Sequence, residues 1–256
     1  MHFSYLMTDQ TSDRYTREMA QSNRYHIDVA KLESIKAVTD QIQLLDKNLG
    51  GMDMMQFSVF NNAYLIVTSI IQDAIKDDYF INPKLIEEFI VVFAGYYFKA
   101  INETFDNSET LRVSWSMMNT IKGRPYPAII SLLLGANAHI NNDLPYVLSK
   151  VMNNSVAENL LGDLVRIDKL LMRSGKQIIG SFTEQNTRLD FLKRRFQFLY
   201  YRPAMYTILY WRIIAWRNYQ KLLDTDATLA QIDIRSQKIG NRLLRAARIL
   251  LLVAPY

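Results

Sequence analysis

Polar side chains able to do chemistry are concentrated in one short stretch, directly after an apolar run that ends at Leu134 and before Pro145. They are Asn137, His139, Asn141, Asn142 and Asp143. Amides, an imidazole and a carboxylate are costly to bury unless each finds a hydrogen-bond partner. We therefore predict that this stretch forms either a specified polar network or a functional site.

The spacing of these residues suits a helix. His139 and Asp143 are four residues apart and share one helix face, while Asn137 and Asn141 form a neighbouring stripe. A carboxylate one turn from an imidazole can orient the ring, hold it protonated or join it in binding a metal. Gly135, one turn earlier, leaves room for a neighbouring helix or a ligand.

A small-molecule pocket is the functional interpretation of this cluster. Buried polar groups that converge within an apolar, aromatic lining are the usual composition of a ligand site. In an enzyme, His139 is the expected proton-transfer group, because its unperturbed pKa is closest to neutral. The predicted catalytic residues are Asn137, His139 and Asp143, and the predicted ligand-binding residues are Asn61, Tyr64, Tyr97, Trp115 and Asn141.

The same residues also have a structural interpretation. Asp143 precedes Leu144 and Pro145 and is suited to cap a helix that begins there. His139 can equally be a core histidine that bonds a backbone carbonyl. The protein is then a non-catalytic interaction or scaffold protein, whose polar cluster fixes helix register and whose partners bind the basic C-terminal half.

The stretch also resembles a known signature. In the segment from Gly135 to Leu144, the pattern G-x-N-A-H-I-N-x-D-L resembles that of a bacterial family of all-helical proteins without an assigned function. Phe60-Asn61-x-x-Tyr64, Phe93-Ala94-x-x-Tyr97 and Trp115 stand in matching order, so the resemblance covers roughly residues 55–150. It implies a helical fold and strengthens the site, but it implies no activity.

A weaker likeness concerns metals. The spacing Gly135-x-x-x-His139-x-x-x-Asp143-x-Pro145 is similar to the motif helix of zinc-dependent phospholipases C and single-strand nucleases. Their trinuclear zinc site needs more histidines than the three in this chain, and none follows the motif. A mononuclear metal-dependent hydrolase remains an alternative, with a third ligand from Glu87, Glu88 or Glu103, or from His26 if the N-terminal arm folds back.

Composition excludes several other classes of protein. The absence of cysteine rules out disulfides, thiolate nucleophiles and cysteine-ligated metals. No Gly-x-Ser-x-Gly turn or glycine-rich phosphate loop occurs. The net charge of +5 permits an anionic partner, but we expect no nucleic-acid function, because no zinc-finger or recognition-helix pattern is present. No cofactor is predicted.

The predicted location is the cytoplasm. The segment from Thr8 to Arg24 is too polar for a secretory signal. The longest apolar runs, Phe89–Phe98 and Ala128–Ala138, are shorter than the ~20 residues that a membrane span needs. We therefore expect no transmembrane segment.

Apolar residues recur at three- and four-residue steps along most of the chain, which predicts an all-α fold. We expect one compact bundle of eight to ten helices over residues 27–256 and a partly ordered arm over residues 1–26. Asn82 and Pro83 are the expected N-cap and first residue of one helix, and Pro203 is expected to split two others. The predicted helices are about Asp28–Leu49, Asp53–Ile75, Pro83–Phe105, Glu109–Lys122, Ala128–Asp143, a short one from Pro145, Ser155–Arg173, Phe182–Tyr201, Pro203–Leu223 and Asp233–Val253.

Ligand supply predicts the outcome of a metal analysis. One histidine provides too few strong ligands to hold a transition metal, so tag-free purified protein should contain no stoichiometric metal by elemental analysis. Near-stoichiometric metal that disappears in His139→Ala would contradict this prediction and favour the metal-dependent hydrolase.

Overall fold

A computed structural model describes residues 26–152, 157–183, 190–224 and 229–253. Within these ranges the regular structure is entirely helical, which confirms the predicted all-α fold of eight to ten helices. None of the described helices combines the length and apolar character required to cross a bilayer. The predicted N-terminal arm lies, except for His26, outside the described residues.

In chain order, the α-helices are α1 (Ile35–Asn48), α2 (Ser58–Lys76), α3 (Pro83–Phe105), the one-turn α4 (Val113–Ser116), α5 (Ala128–Ala136), α6 (Leu144–Val151), α7 (Ala157–Thr183), α8 (Asp190–Asp224) and α9 (Leu229–Val253). Short 3₁₀ turns at Val29–Lys31, Met55–Phe57 and Met117–Ile121 precede or follow three of them. A π-helical segment, Asn137–Asp143, joins α5 to α6 without a break.

Local capping chemistry sets several helix boundaries. Helix α3 begins at Pro83 as predicted, and the Asn82 side chain accepts a hydrogen bond from the Leu85 amide at 3.1 Å. Helix α1 begins seven residues later than predicted, because Ser34 caps it by accepting from the Ala37 amide at 3.2 Å. The apolar periodicity upstream of Ser34 belongs to a 3₁₀ turn.

The predicted break at Pro203 is wrong, because α8 continues through this residue. A proline inside a helix removes one backbone donor and crowds the preceding turn. Here Pro203 lies at the surface, while Ala204, Met205 and Ile208 directly after it are buried. Packing of this next turn into the core outweighs the loss of one hydrogen bond.

The helix predicted over Glu109–Lys122 is shorter in the structure, where the one-turn α4 leads into a 3₁₀ turn. The first turn of α4 is held by a residue distant in sequence. The carboxylate of Asp233 on α9 accepts hydrogen bonds from the amides of Val113 and Ser114, both at 2.8 Å. This contact orders α4 against α9.

The π-helical segment lies at the centre of the molecule. Helices α3, α4, α5, α6, α8 and α9 all pack against it. Every residue from Leu134 to Leu148 is buried. The polar residues predicted to matter therefore occupy the core rather than a surface cleft.

The space that Gly135 leaves open is occupied by a neighbouring helix. A β-carbon at this position would lie 2.7 Å from Phe60 Cδ2 and 2.8 Å from Phe60 Cβ on α2. The glycine thus lets the Phe60 ring lie directly against α5, where it also meets the imidazole of His139 at a centroid distance of 5.8 Å.

Gly135→Ala should destabilise the fold by about 1–3 kcal/mol, since an added methyl overpacks against a ring at the core. Gly180→Ala in α7 is the matched control, because no neighbouring side chain lies within 4 Å of the place that the added β-carbon would take. The control should be neutral or stabilising by about 0.5–1 kcal/mol. Urea unfolding of both variants measures the contrast, and equal effects would contradict the packing described.

Candidate functional site

The π-helical segment distributes polar side chains to different sides of one helix. Its wider turn is visible in the Leu144 amide, which donates to the carbonyl of His139 five residues earlier. His139 and Asp143 face the aromatic residues of α2, α3 and α4, whereas Asn137 faces α9. Single π-helical turns inside α-helices occur frequently at functional sites.

Asp143 is the polar centre of the site and is buried, with 1 % of its surface exposed. Its Oδ2 accepts from the indole Nε1 of Trp115 at 2.9 Å and lies 3.3 Å from Nδ1 of His139. Its Oδ1 accepts from the side-chain amide of Asn142 at 2.7 Å. These donors compensate the carboxylate for the water that it loses on burial.

His139 is enclosed by aromatic rings. The ring of Phe93 stacks on the imidazole at a centroid distance of 3.6 Å and an interplanar angle of 5°. Tyr64 meets it edge-on at 4.9 Å. Phe60, Tyr97 and Trp115 complete the enclosure at 5.8 to 6.1 Å. This packing fixes the plane of the imidazole.

The electrostatics favour a neutral imidazole with a defined tautomer. Burial lowers the pKa of His139, and this effect outweighs the hydrogen bond and negative charge of Asp143, which act in the opposite direction. A carboxylate can only accept, so Nδ1 carries the proton and Nε2 carries the lone pair. Nε2 has no hydrogen-bond partner among the described residues.

A cavity of about 90 Å³ lies beside the imidazole, between α2, α3, α5, α7 and α8. Its lining is apolar except for Tyr64, Thr68, His139 and Arg212. The Thr68 hydroxyl donates to the carbonyl of Tyr64 at 2.8 Å, and Arg212 is ion-paired with Asp168. The groups in the cavity that remain able to hydrogen-bond a ligand are therefore mainly the imidazole of His139 and the phenol of Tyr64.

Tyr64 presents a second unpartnered polar atom. Its hydroxyl is buried without a hydrogen-bond partner in the described structure. Burial raises the pKa of Tyr64, and the charge of Asp143 raises it further. The phenol thus remains protonated and can donate a hydrogen bond.

The predicted aromatic residues take different places. Tyr64 lines the cavity, whereas Tyr97 and Trp115 pack around the imidazole and are not part of the lining. The Tyr97 hydroxyl donates to Oδ1 of Asn61 at 3.1 Å, and Asn61 in turn donates to the carbonyl of Ile42 at 3.2 Å. Asn61 therefore ties α1, α2 and α3 together behind the site.

The predicted pair of asparagines faces away from the cavity lining. Nδ2 of Asn137 donates to the carbonyl of Ser236 at 2.8 Å, and the Ser236 hydroxyl donates to the carbonyl of Asn137 at 3.2 Å. Asn141 donates to Oδ1 of Asn137 at 3.0 Å. These contacts hold α9 against the π-helical segment.

The candidate metal ligands do not converge on His139. Glu87 accepts from the Ile35 amide at 3.0 Å, and Glu103 accepts from the hydroxyl of Thr110 at 2.8 Å. Glu88 and His26 lie at the surface. Among the described residues, no three His, Cys, Asp or Glu side chains are grouped as metal ligands.

Sequence reasoning missed several contributors to the site. Phe93 and Phe60 lie on apolar helix faces, where nothing distinguishes a ring that stacks on an imidazole from an ordinary core residue. Arg212 and Ser236 belong to helices distant in sequence, and only the tertiary structure brings them to the cavity or to Asn137.

A family model described as a family of unknown function, DUF5995, matches residues 35–251. The chain belongs to this family. The match confirms the predicted resemblance to a helical family without an assigned function and extends it over most of the chain. No curated protein and no solved structure matches the chain significantly.

The lowered pKa of His139 makes the stability of the fold dependent on pH. The unfolded chain takes up a proton on His139 near pH 6.5, the ordinary value, whereas the folded protein takes it up only at lower pH. The stability gained from the lowered pKa of His139 is therefore fully present above pH 6.5. As the pH falls below this value, the free energy of unfolding decreases by up to about 1.4 kcal/mol per pH unit.

Urea unfolding across this range should show that His139→Gln removes this component of the pH dependence. His26→Gln is the control, since His26 is exposed and should leave the dependence unchanged. The assignment fails if wild type and His139→Gln lose stability equally as the pH falls.

Proposed function

We propose that this protein binds a small, largely apolar molecule with a hydroxyl group in the cavity beside His139. One observation carries the proposal: His139 Nε2 and the Tyr64 hydroxyl are buried and unpartnered among the described residues, and both side chains line a cavity that is otherwise almost entirely apolar. Buried polar atoms usually have partners, and each exception requires a reason. A ligand that supplies the missing hydrogen bonds is that reason.

The chemistry of the two atoms selects a hydroxyl. The lone pair of Nε2 accepts from the ligand, while the protonated phenol of Tyr64 donates to it. A hydroxyl group both donates and accepts, so it satisfies both residues, whose rings lie 4.9 Å apart. An ether or ketone can only accept and leaves Nε2 without a partner.

The volume of the cavity limits the size of the ligand. An apolar cavity of about 150 Å³ accommodates benzene. The present cavity is about 90 Å³, so a molecule smaller than benzene fits without displacement of the lining. Within the lining only Val67 and Arg212 are partly exposed, which indicates that the ligand approaches from their side.

We assign His139 the role of proton acceptor in this site. Asp143 orients the imidazole through Nδ1, and Trp115 holds Asp143 in place. A neutral imidazole oriented by a buried carboxylate is the arrangement of a general base. On this proposal the Nε2 lone pair accepts a hydrogen bond from the ligand hydroxyl and is placed to take its proton, while Tyr64 donates a hydrogen bond to the same oxygen.

The asparagines of the polar cluster favour the competing role, that of a scaffold protein. Asn137, Asn141 and Ser236 are hydrogen-bonded to one another and join α9 to the core, although Oδ1 of Asn141 has no partner among the described residues. His139→Ala separates the two roles. The variant should lose stability on either role, because the buried Asp143 is left with one donor fewer. Ligand binding decides between them: a site role predicts that wild type binds a small alcohol and the folded variant does not, whereas a structural role predicts binding by neither.

The binding proposal predicts that 2-propanol binds more tightly than acetone, which has the same heavy-atom skeleton but no hydrogen-bond donor, both being smaller than benzene. Chemical shifts of the His139 imidazole, followed by NMR during titration, measure both affinities. Loss of one uncharged hydrogen bond should weaken binding by about fivefold, corresponding to about 1 kcal/mol. Equal affinities, or shifts that are absent for both, would refute the hydroxyl-binding site.

Tyr64→Phe and Tyr97→Phe form a matched pair. Tyr64→Phe removes a hydroxyl without a described partner, so it should weaken 2-propanol binding with stability unchanged or raised. Tyr97→Phe removes the hydrogen bond to Asn61, so it should cost about 1 kcal/mol of stability with binding retained. A loss of stability in Tyr64→Phe equal to that in Tyr97→Phe would indicate a resident water rather than a ligand site.

A further inference from the structure

One face of α9 carries five exposed cations, and we call it the basic face. Its members are Arg235, Lys238, Arg242, Arg245 and Arg248, all of them exposed. At 3.6 residues per turn they fall within an arc of about 140° and extend over about 20 Å of helix. They lie on the side of α9 opposite to the core.

The basic face lacks neutralising carboxylates. None of its cations forms an ion pair with a carboxylate within the described part of the chain. Asp233, the acidic residue of α9, turns away and bonds the amides of Val113 and Ser114. The segments packed most closely against α9, residues 113–121 and 128–143, contribute one carboxylate, that of Asp143, which is buried.

Two large exposed apolar side chains lie at the two ends of the basic face. Ile249 is 61 % exposed and lies one turn after Arg245, and Ile234 is 46 % exposed and lies one turn before Lys238. Near its end, the basic face is extended by Tyr126, whose hydroxyl accepts from Nε of Arg248 at 3.3 Å. The surface thus combines positive charge with exposed apolar groups.

We propose that the basic face of α9 docks the protein on an anionic membrane surface. Cations complement the phosphates and carboxylates of acidic lipid headgroups, and each one near such a surface increases partitioning by about fivefold. The isoleucines enter the region between headgroups, where burial of apolar surface contributes further. This inference is independent of the ligand proposed for the cavity.

The isoleucines favour a membrane over a nucleic acid as the partner. A phosphate backbone binds cations, but it offers no apolar region in which the exposed isoleucines at the two ends of the contact could be buried. A bilayer interface accommodates both kinds of side chain in one helix face.

Co-sedimentation of the full chain with vesicles tests the proposal. Vesicles of phosphatidylcholine with phosphatidylserine should bind the protein, vesicles of phosphatidylcholine alone should not, and binding should weaken as salt increases. Arg235→Glu with Arg242→Glu should weaken binding about 25-fold or more, since at least two favourable contacts are lost. Lys169→Glu with Lys176→Glu on α7 is the control, with the same charge change and spacing at exposed positions, and it should bind as wild type does.

Ile249→Ser separates a membrane from other polyanions. It should reduce vesicle binding about threefold or more, because half-buried apolar surface is lost, and it should leave binding to duplex DNA or heparin unchanged. The proposal is overturned if phosphatidylserine vesicles do not bind the protein, if the α7 control loses binding equally, or if duplex DNA binds more tightly than vesicles with Ile249→Ser having no effect on either.

Discussion

Burial of the Asp143 carboxylate is the constraint on which the centre of this structure depends. A charged group in an apolar core persists only when hydrogen-bond donors replace its water. Here the nearest donor on another element is the indole of Trp115, at 2.9 Å. The one-turn α4 that carries Trp115 is in turn positioned by Asp233 of α9. The orientation of His139 therefore depends on a chain of contacts that ends in the last helix.

The central π-helical segment carries polar side chains that need partners on more than one of its sides. Consecutive polar residues that are all buried must find partners on different sides of the helix, and neighbours approach it from every side. Asn137 faces α9, while Asp143 faces Trp115. The pairs at four-residue spacing still meet, His139 with Asp143 and Asn141 with Asn137. The irregular turn thus serves two networks at once.

Contacts within one helical turn could be predicted from the sequence, whereas contacts between helices distant in sequence could not. Four-residue spacing predicts that His139 and Asp143 meet, and Asn82 with Pro83 predicts the start of α3, because both depend on contacts within one turn. The Trp115 indole reaches Asp143 across 28 positions, and Ser236 reaches Asn137 across 99. Such pairings depend on how helices pack, which helical periodicity does not encode. The failure at Pro203 has the same origin, since the buried residues after it contribute tertiary packing that a local rule does not count.

Residue type indicates which side chains need partners, and the fold decides whether protein atoms supply them. Asn61, Asn137 and Asp143 have protein partners, so stability alone accounts for their polar character. Stability does not account for the Tyr64 hydroxyl, because a core selected only for packing is better served by phenylalanine at this position. The bond to Asp143 accounts for Nδ1 of His139, but not for the unpartnered Nε2. The two atoms retain a desolvation cost that no described protein contact offsets. A hydroxyl-bearing ligand removes that cost at both atoms together, which is why the binding interpretation accounts for the site more completely than the scaffold interpretation.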